Sequence, residues 1–367
     1  MSKTGVFVDD KEKVYARLLS RQGVIEFEHF LVDTDIASLA NRILERSPDV
    51  VALDYRLDEE VGKLAADKTF KASAVAQHLR DKAVVAPAKD FPIVLVSAET
   101  KIRSLFDPDR TAHDLFDKVF VKEQIRDDAA RTQTELVSLA NTYAILAQQQ
   151  AYSLELFLDT SEEDRVFTDL QELRTPVETA SAPHQVVGFL LKQMFNKPGL
   201  LLDEADTAAR LGITQPSFEA VRPKLSEAGL DYSGQLAEGW PRWWAHRIAA
   251  WLEDKLGARP ITKTALERAT RLGTALNLTL EPARSPWTGG QDEKISFACA
   301  SCRRGAEVKH SVSAFEGAVP RYRIARRICW DCVQTGRYEN EHPTLRIDEL
   351  DERVAAKVRT MDKPAAR

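Results

Sequence analysis

The chain has 367 residues, 44% of them hydrophobic and 29% charged, and a formal net charge of −5. At about 100–200 residues per domain, this length predicts two or three domains, each able to bury a core. The composition excludes a disordered or collagenous chain, and no apolar run approaches the ~18 uninterrupted residues of a membrane-spanning helix.

The first residues, Met1-Ser2-Lys3-Thr4-Gly5-Val6-Phe7-Val8-Asp9-Asp10, turn acidic where a secretory leader stays apolar. A cytoplasmic protein with no membrane partner is therefore expected. Strands are read at Gly5-Val6-Phe7-Val8, from Val24-Ile25-Glu26-Phe27 onward, and at Val50-Val51-Ala52-Leu53. Two more follow at Ile93-Val94-Leu95-Val96 and Lys118-Val119-Phe120-Val121. These short, β-branched runs suit strands buried on both faces of a parallel sheet. Helical patterns lie between them, as at 36–44, so a doubly wound α/β domain is predicted over 1–128.

An all-α region is expected over 129–285. One long helix is read from Thr134 to Leu158, followed by helices near 184–196, 203–211, 215–228, 240–256 and 262–276, punctuated by prolines. Pro282 to Gly290 reads as a linker. A small cysteine module spans 286–345, and a charged helix and tail span 346–367.

The ends of the predicted strands carry a specific set of side chains. Asp9 and Asp10 follow the first strand, Asp54 the third, Ser97 the fourth and Lys122 the fifth. In doubly wound sheets ligands bind beyond the carboxyl ends of the strands. Three converging carboxylates repel one another unless a cation joins them, and Mg²⁺ suits oxygen ligands. A lysine and a hydroxyl beside them suit a phosphoryl group.

With Phe7-Val8-Asp9-Asp10, Leu53-Asp54, Val96-Ser97-Ala98 and Val121-Lys122 in that order, residues 4–125 resemble the receiver domain of bacterial response regulators. The resemblance implies a flavodoxin-like fold, Mg²⁺ held by Asp9, Asp10 and Asp54, and phosphate transfer from a histidine kinase to Asp54. It also implies sensing of that phosphate by Ser97 and Lys122. There are departures. The stretch from Asp54 to Ser97 is long for the family and contains Glu59-Glu60 and a helix-like run at 73–80. Glu123 replaces the usual proline after the lysine, and Val119 stands at the aromatic switch position. Both a phosphoaccepting pocket and an unphosphorylated pseudo-receiver remain open readings. An aspartate phosphatase would need a second aspartate at Arg56, so no enzyme activity beyond phosphorylation and dephosphorylation of Asp54 is expected.

All four cysteines fall in two pairs, Cys299-Ala300-Ser301-Cys302 and Cys329-Trp330-Asp331-Cys332. This CxxC…CxxC pattern is close to zinc-ribbon and treble-clef spacing and predicts one closed, structural Zn²⁺ site. Reduced core cysteines, a redox pair or an iron–sulfur cluster are the other readings. Between the pairs, Arg303, Arg304, Lys309, Arg321, Arg323, Arg326 and Arg327 face only Glu307 and Glu316. With Phe315, Tyr322 and Trp330 nearby, this forms a conceivable nucleic-acid surface.

Residues 203–229 echo a helix-turn-helix, but they carry six acids against three bases, which disfavours phosphate contacts. Trp240, Trp243, Trp244 and Trp251 are expected to serve mainly as core. Together these readings predict a cytosolic signalling adaptor, of the kind found loosely in bacterial stress or defence systems. Its expected partners are a histidine-kinase-like or ATPase protein and a second copy in a homodimer. A nucleic-acid-binding response regulator is the alternative.

Overall fold

The computed structural model describes residues 2–32, 35–57 and 71–364. Two compact units emerge. The first comprises residues 1–163, 171–191 and 234–240, the second 164–170, 192–233 and 241–367.

The first unit is built on five strands, β1 (Lys3–Val8), β2 (Ile25–Phe30), β3 (Val50–Leu53), β4 (Ile93–Ser97) and β5 (Lys118–Val121). All pair in parallel, in the spatial order β2-β1-β3-β4-β5. This is the flavodoxin-like order of doubly wound sheets. Continuous apolar runs fit because β3 and β4 are buried along their whole length. Helices α1 (Val14–Leu19), α2 (Ile36–Arg46), α3 (Ala72–Val85), α4 (Lys122–Asp127) and α5 (Ala129–Leu146) flank the sheet sequence. Asp35 caps α2 by accepting from the Ser38 N–H at 2.8 Å, which satisfies an otherwise orphaned helix-terminal donor. Val8, Leu53, Leu95, Ile43 and Leu79 meet in one apolar core.

The expected helix from Thr134 to Leu158 divides. It begins earlier, at the Asp128 cap, ends at Leu146, and resumes only over Leu154–Leu158, where Ser153 caps the new start. Residues 148–151 are exposed and offer no apolar face. Helix propensity without tertiary burial does not hold a helix. Glu59-Glu60 lie outside the described residues.

The second unit is helix-rich, then strand-poor around the cysteines. Helix α6 (Glu204–Leu211) turns at Gly212 into α7 (Gln215–Glu227). Gly212 has φ +76°, and a Cβ there would meet Arg268 Nε at 2.9 Å, so glycine is required at this turn. Trp243 and Trp244 form a two-residue strand paired antiparallel with Leu201–Leu202. Helix α8 (Ala245–Leu256) begins only after them, which shortens the expected 240–256 helix. Aromatic residues favour the strand geometry there. Trp243 and Trp244 are fully buried, as core residues should be. Helix α9 (Ala265–Leu276) opens with a Thr264/Glu267 capping box.

Pro282–Gly290 is not a linker. Ala283, Ser285 and Trp287 are buried, and the Ser285 N–H donates to the Gly290 carbonyl at 2.9 Å. Proline and glycine shape a turn here, and Trp287 anchors it edge-on against Trp330. The C-terminal helix α11 is described below with the cysteines it packs on.

Candidate functional sites

Parallel pairing of β1, β3 and β4 places Asp9, Asp54 and Ser97 at one edge of the sheet. Lys122 starts α4 immediately after β5. All four side chains are buried. The Lys122 ammonium lies 2.9 Å from Asp9 Oδ2 and 3.0 Å from Asp54 Oδ1. Lys101 stands 4.0 Å from Asp54 Oδ2. A carboxylate that the sequence reading overlooked, Glu12, contacts Lys122 at 2.8 Å. Only its place three residues beyond Asp9 in the same loop could have signalled it.

Asp9 is held from several sides. The backbone N–H groups of Lys11 and Glu12 donate to its Oδ1 at 2.7 and 2.8 Å. Burial alone would raise its pKa. The Glu12 N–H, the Lys122 ammonium and the Lys11 N–H outweigh that and hold it below the usual carboxylate value. Asp54 goes the other way. Burial pushes its pKa up, Lys122 opposes, and the Asp9 charge adds to the rise. Lys122 is raised despite burial, because Asp54, Glu12 and Asp9 all favour its charged form.

Ser97 Oγ has no hydrogen-bond partner, and Asp54 Oδ1 has only its ion pair with Lys122 at 3.0 Å. Buried polar groups are normally satisfied. The Ser97 hydroxyl is therefore left to bond a ligand. Asp10, at the same loop, is half-buried. Asp9, Asp10 and Asp54 are not a converged donor set. Among the described residues, the groups whose donor atoms lie within 4.8 Å of one another are the four cysteines and Glu293/Glu307/His310. Lys122 supplies the positive charge that neutralises Asp9 and Asp54.

In the second unit, β6 (Phe297–Ala298) and β7 (Gly305–Ala306) form a short hairpin around Cys299 and Cys302. A second hairpin, β8 (Ser311–Ser313) with β9 (Arg327–Cys329), ends at Cys329. Helix α10 (Trp330–Gln334) then carries Cys332 in its first turn. The four cysteines are free thiols, and their sulfurs lie within 4.8 Å of one another. The Cys299–Cys332 and Cys302–Cys329 pairs are each 3.9 Å apart. The backbone N–H groups of Ser301 and Cys329 donate to Cys299 Sγ at 3.4 and 3.3 Å. Hydrogen bonds shared with Cys299, Cys329, Cys332 and Arg304 hold the Cys302 thiol far below its ordinary pKa. This cluster could hold a metal ion. Val312, Ile328 and Val333 surround it, together with Ala355 and Val358 of helix α11 (Glu352–Thr360). The expected C-terminal helix is thus part of the cysteine module's core.

The basic residues around the cysteines have partners. Arg303 pairs with Asp203 and Asp206, Arg304 with Asp331, and Lys309 with Glu293. Arg323 and Arg326 both pair with Glu316. Arg327 donates to Ser311 and Ser313. Of the aromatic residues, Tyr322 is buried and Trp330 is half-buried against Trp287, so only Phe315 is exposed.

The first unit's parallel five-strand sheet therefore resembles the receiver fold, and the remainder of the chain is rich in helices. No known family matches the chain, and no curated protein matches it. Among solved structures, it is similar to the signal receiver domain of NarL from Mycobacterium tuberculosis, a protein named as a response regulator. Identity is 19%, coverage is 37% of this chain and 96% of that one, and the TM-score is 0.27. Among the described residues no helix is long and apolar enough to cross a membrane.

Proposed function

We propose that the protein is a cytosolic signal-transduction adaptor of the bacterial phosphorelay type, in which Asp54 accepts a phosphoryl group and a structural zinc module serves protein contacts. One observation carries this reading. Asp54, its counter-ion Lys122 and the hydroxyl of Ser97 are buried together at the strand ends, with Ser97 Oγ unsatisfied.

In the reaction, an Asp54 carboxylate oxygen attacks the phosphorus of a phosphohistidine or acyl phosphate. A new P–O bond forms as the bond to the donor breaks, and the donor leaves with the electron pair. Lys122 stays charged and binds the oxygens of the transferred group. The Ser97 hydroxyl then gains an acceptor. Mg²⁺ suits oxygen ligands. Asp9, Asp10 and Asp54 would hold it only after their carboxylates drew together around the ion, and it would then neutralise the incoming phosphoryl charge. The phosphoryl source is a histidine-kinase-like or ATPase partner.

For the cysteines, Zn²⁺ is the metal we propose. With Zn–S bonds of about 2.3 Å, a tetrahedron has S–S edges of about 3.8 Å, close to the 3.9 Å observed for two pairs. Knuckle, hairpin and helix follow in treble-clef order. Because the surrounding arginines are paired internally, contacts with protein are favoured over nucleic acid.

The test is intact-protein mass spectrometry after incubation with acetyl phosphate and Mg²⁺. The wild type is expected to gain the mass of one phosphoryl group and the Asp54→Asn variant none. A folded wild type that gains nothing would sink the phosphoacceptor reading and leave a pseudo-receiver that docks a partner.

A further inference from the structure

Away from both sites, Glu293, Glu307 and His310 bring one donor atom each to within 4.8 Å of one another. Glu307 is almost wholly buried. Its Oε1 accepts from the Ser285 hydroxyl at 2.6 Å and lies 2.6 Å from His310 Nδ1. Its Oε2 is also buried and has no partner. A buried carboxylate oxygen left unpaired is costly, and here it belongs to a cluster already rich in metal donors. Glu293 reaches the same place from the preceding loop, with a side chain only 12% exposed. Its current partner is Lys309, at 2.7 Å, whose side chain is 60% exposed and free to swing into solvent. Glu293 and Glu307 also line a 510 Å³ surface cavity beside Ile295 and Ser296.

We propose that Glu293, Glu307 and His310 form a second divalent-metal site. Two carboxylates and one imidazole are harder donors than the four thiolates and suit Zn²⁺ or Mn²⁺. The Ser285 hydroxyl orients Glu307 from outside, as groups behind a metal ligand commonly do. Three protein ligands leave a coordination position for water or a small anion, and the cavity provides access to it. Lys309 stands in for the cation when the metal is absent. Binding releases its ammonium and opens the His310–Glu307 hydrogen bond, with the imidazole proton passing to solvent where Nδ1 becomes the ligand.

The full chain, equilibrated with Zn²⁺ and freed of excess ion, tests this by elemental analysis. Two zinc ions per chain are expected. His310→Gln and, separately, Glu293→Gln should each retain one, with the near-ultraviolet dichroism of Trp287 and Trp330 unchanged. Lys309→Met should tighten the second site about two- to fivefold, the worth of an exposed ion pair. A zinc content that both ligand variants leave unchanged overturns the proposal. A wild type with one zinc, lost in both variants, would count against the four-cysteine reading and support this one.

Discussion

Replacing Lys122 with methionine keeps an unbranched side chain, one atom shorter, and removes one charge from a site holding three carboxylates. The ammonium is 2.9 Å from Asp9, 3.0 Å from Asp54 and 2.8 Å from Glu12. At about 3 Å and an effective dielectric near 20, each contact is worth roughly 5 kcal/mol before desolvation is subtracted. Glu12 is 42% exposed, so solvent screens its share. Asp9 and Asp54 are buried, and stranding such charges costs about 3–5 kcal/mol. The sign of the pH dependence follows from Asp54. Burial already holds its pKa above the unfolded value, and losing Lys122 lifts it further. A raised carboxyl pKa destabilises the fold above that pKa and ceases to do so as pH falls through it. The deficit of Lys122→Met should therefore be largest at alkaline pH and shrink as the solution is acidified through the raised Asp54 pKa. Hydrogen exchange of peptides from β1 and β3 reads this unit alone. Adding Asp54→Asn should restore much of the protection. A loss under about 1 kcal/mol, flat with pH and unchanged by Asp54→Asn, would refute the electrostatic account.

Chelation at neutral pH should release one metal ion per cysteine cluster and loosen the apolar core formed by Val312, Ile328, Val333 and Val358. Structural zinc contributes about 10–16 kcal/mol in small peptides, on the scale of a whole domain's stability. The near-ultraviolet dichroism of Trp287 and Trp330, which meet edge-on at 5.6 Å, should collapse with metal release, and persistence of that signal would argue against a structural metal. Gly199→Ala tests packing in the same unit. Its Cβ would lie 2.3 Å from the Tyr322 carbonyl oxygen, a backbone clash that should cost about 1–3 kcal/mol in urea unfolding. A neutral result would show that the isolated antiparallel bridge between Gly199 and Arg323 yields freely.

The sheet was legible because its strands are buried on both faces. Runs such as Val50-Val51-Ala52-Leu53 and Ile93-Val94-Leu95-Val96 are apolar throughout, and the structure turns them into β3 and β4. Asp9, Asp54, Ser97 and Lys122 were legible for a related reason: each sits at a strand end, and chain order alone fixes which ends share an edge. Glu12 was not, because it approaches Lys122 from a loop whose path depends on two backbone N–H bonds to Asp9. The break after Leu146 was hidden too. Ala147 to Ala151 have the propensity for helix and lack only something to pack against, which a single sequence does not reveal. Trp287 was misplaced by its neighbours, since Pro286, Gly289 and Gly290 mark a turn whether it is exposed or folded inward.

The basic stretch between the cysteine pairs shows the limit of counting charge along a chain. Within 303–328 cations far outnumber acids, and a surface read from that window would bind phosphates. The acids that answer it come from elsewhere: Asp203 and Asp206 from the cap and first turn of α6, Glu293 from the turn before β6, and Asp331 from α10. Glu316, within the window, serves Arg323 and Arg326 together, and its carboxylate is itself nearly inaccessible. Nucleic-acid affinity comes from cations that release counter-ions when they meet phosphates. An arginine already paired with a carboxylate is not free to displace the counter-ions of a phosphate, and each new phosphate contact would first have to break a pair that helps hold the module together. The acidic charge of α6 disfavours its helix-turn-helix as a DNA reader for the same reason that it suits the fold: it is the counter-charge of Arg303.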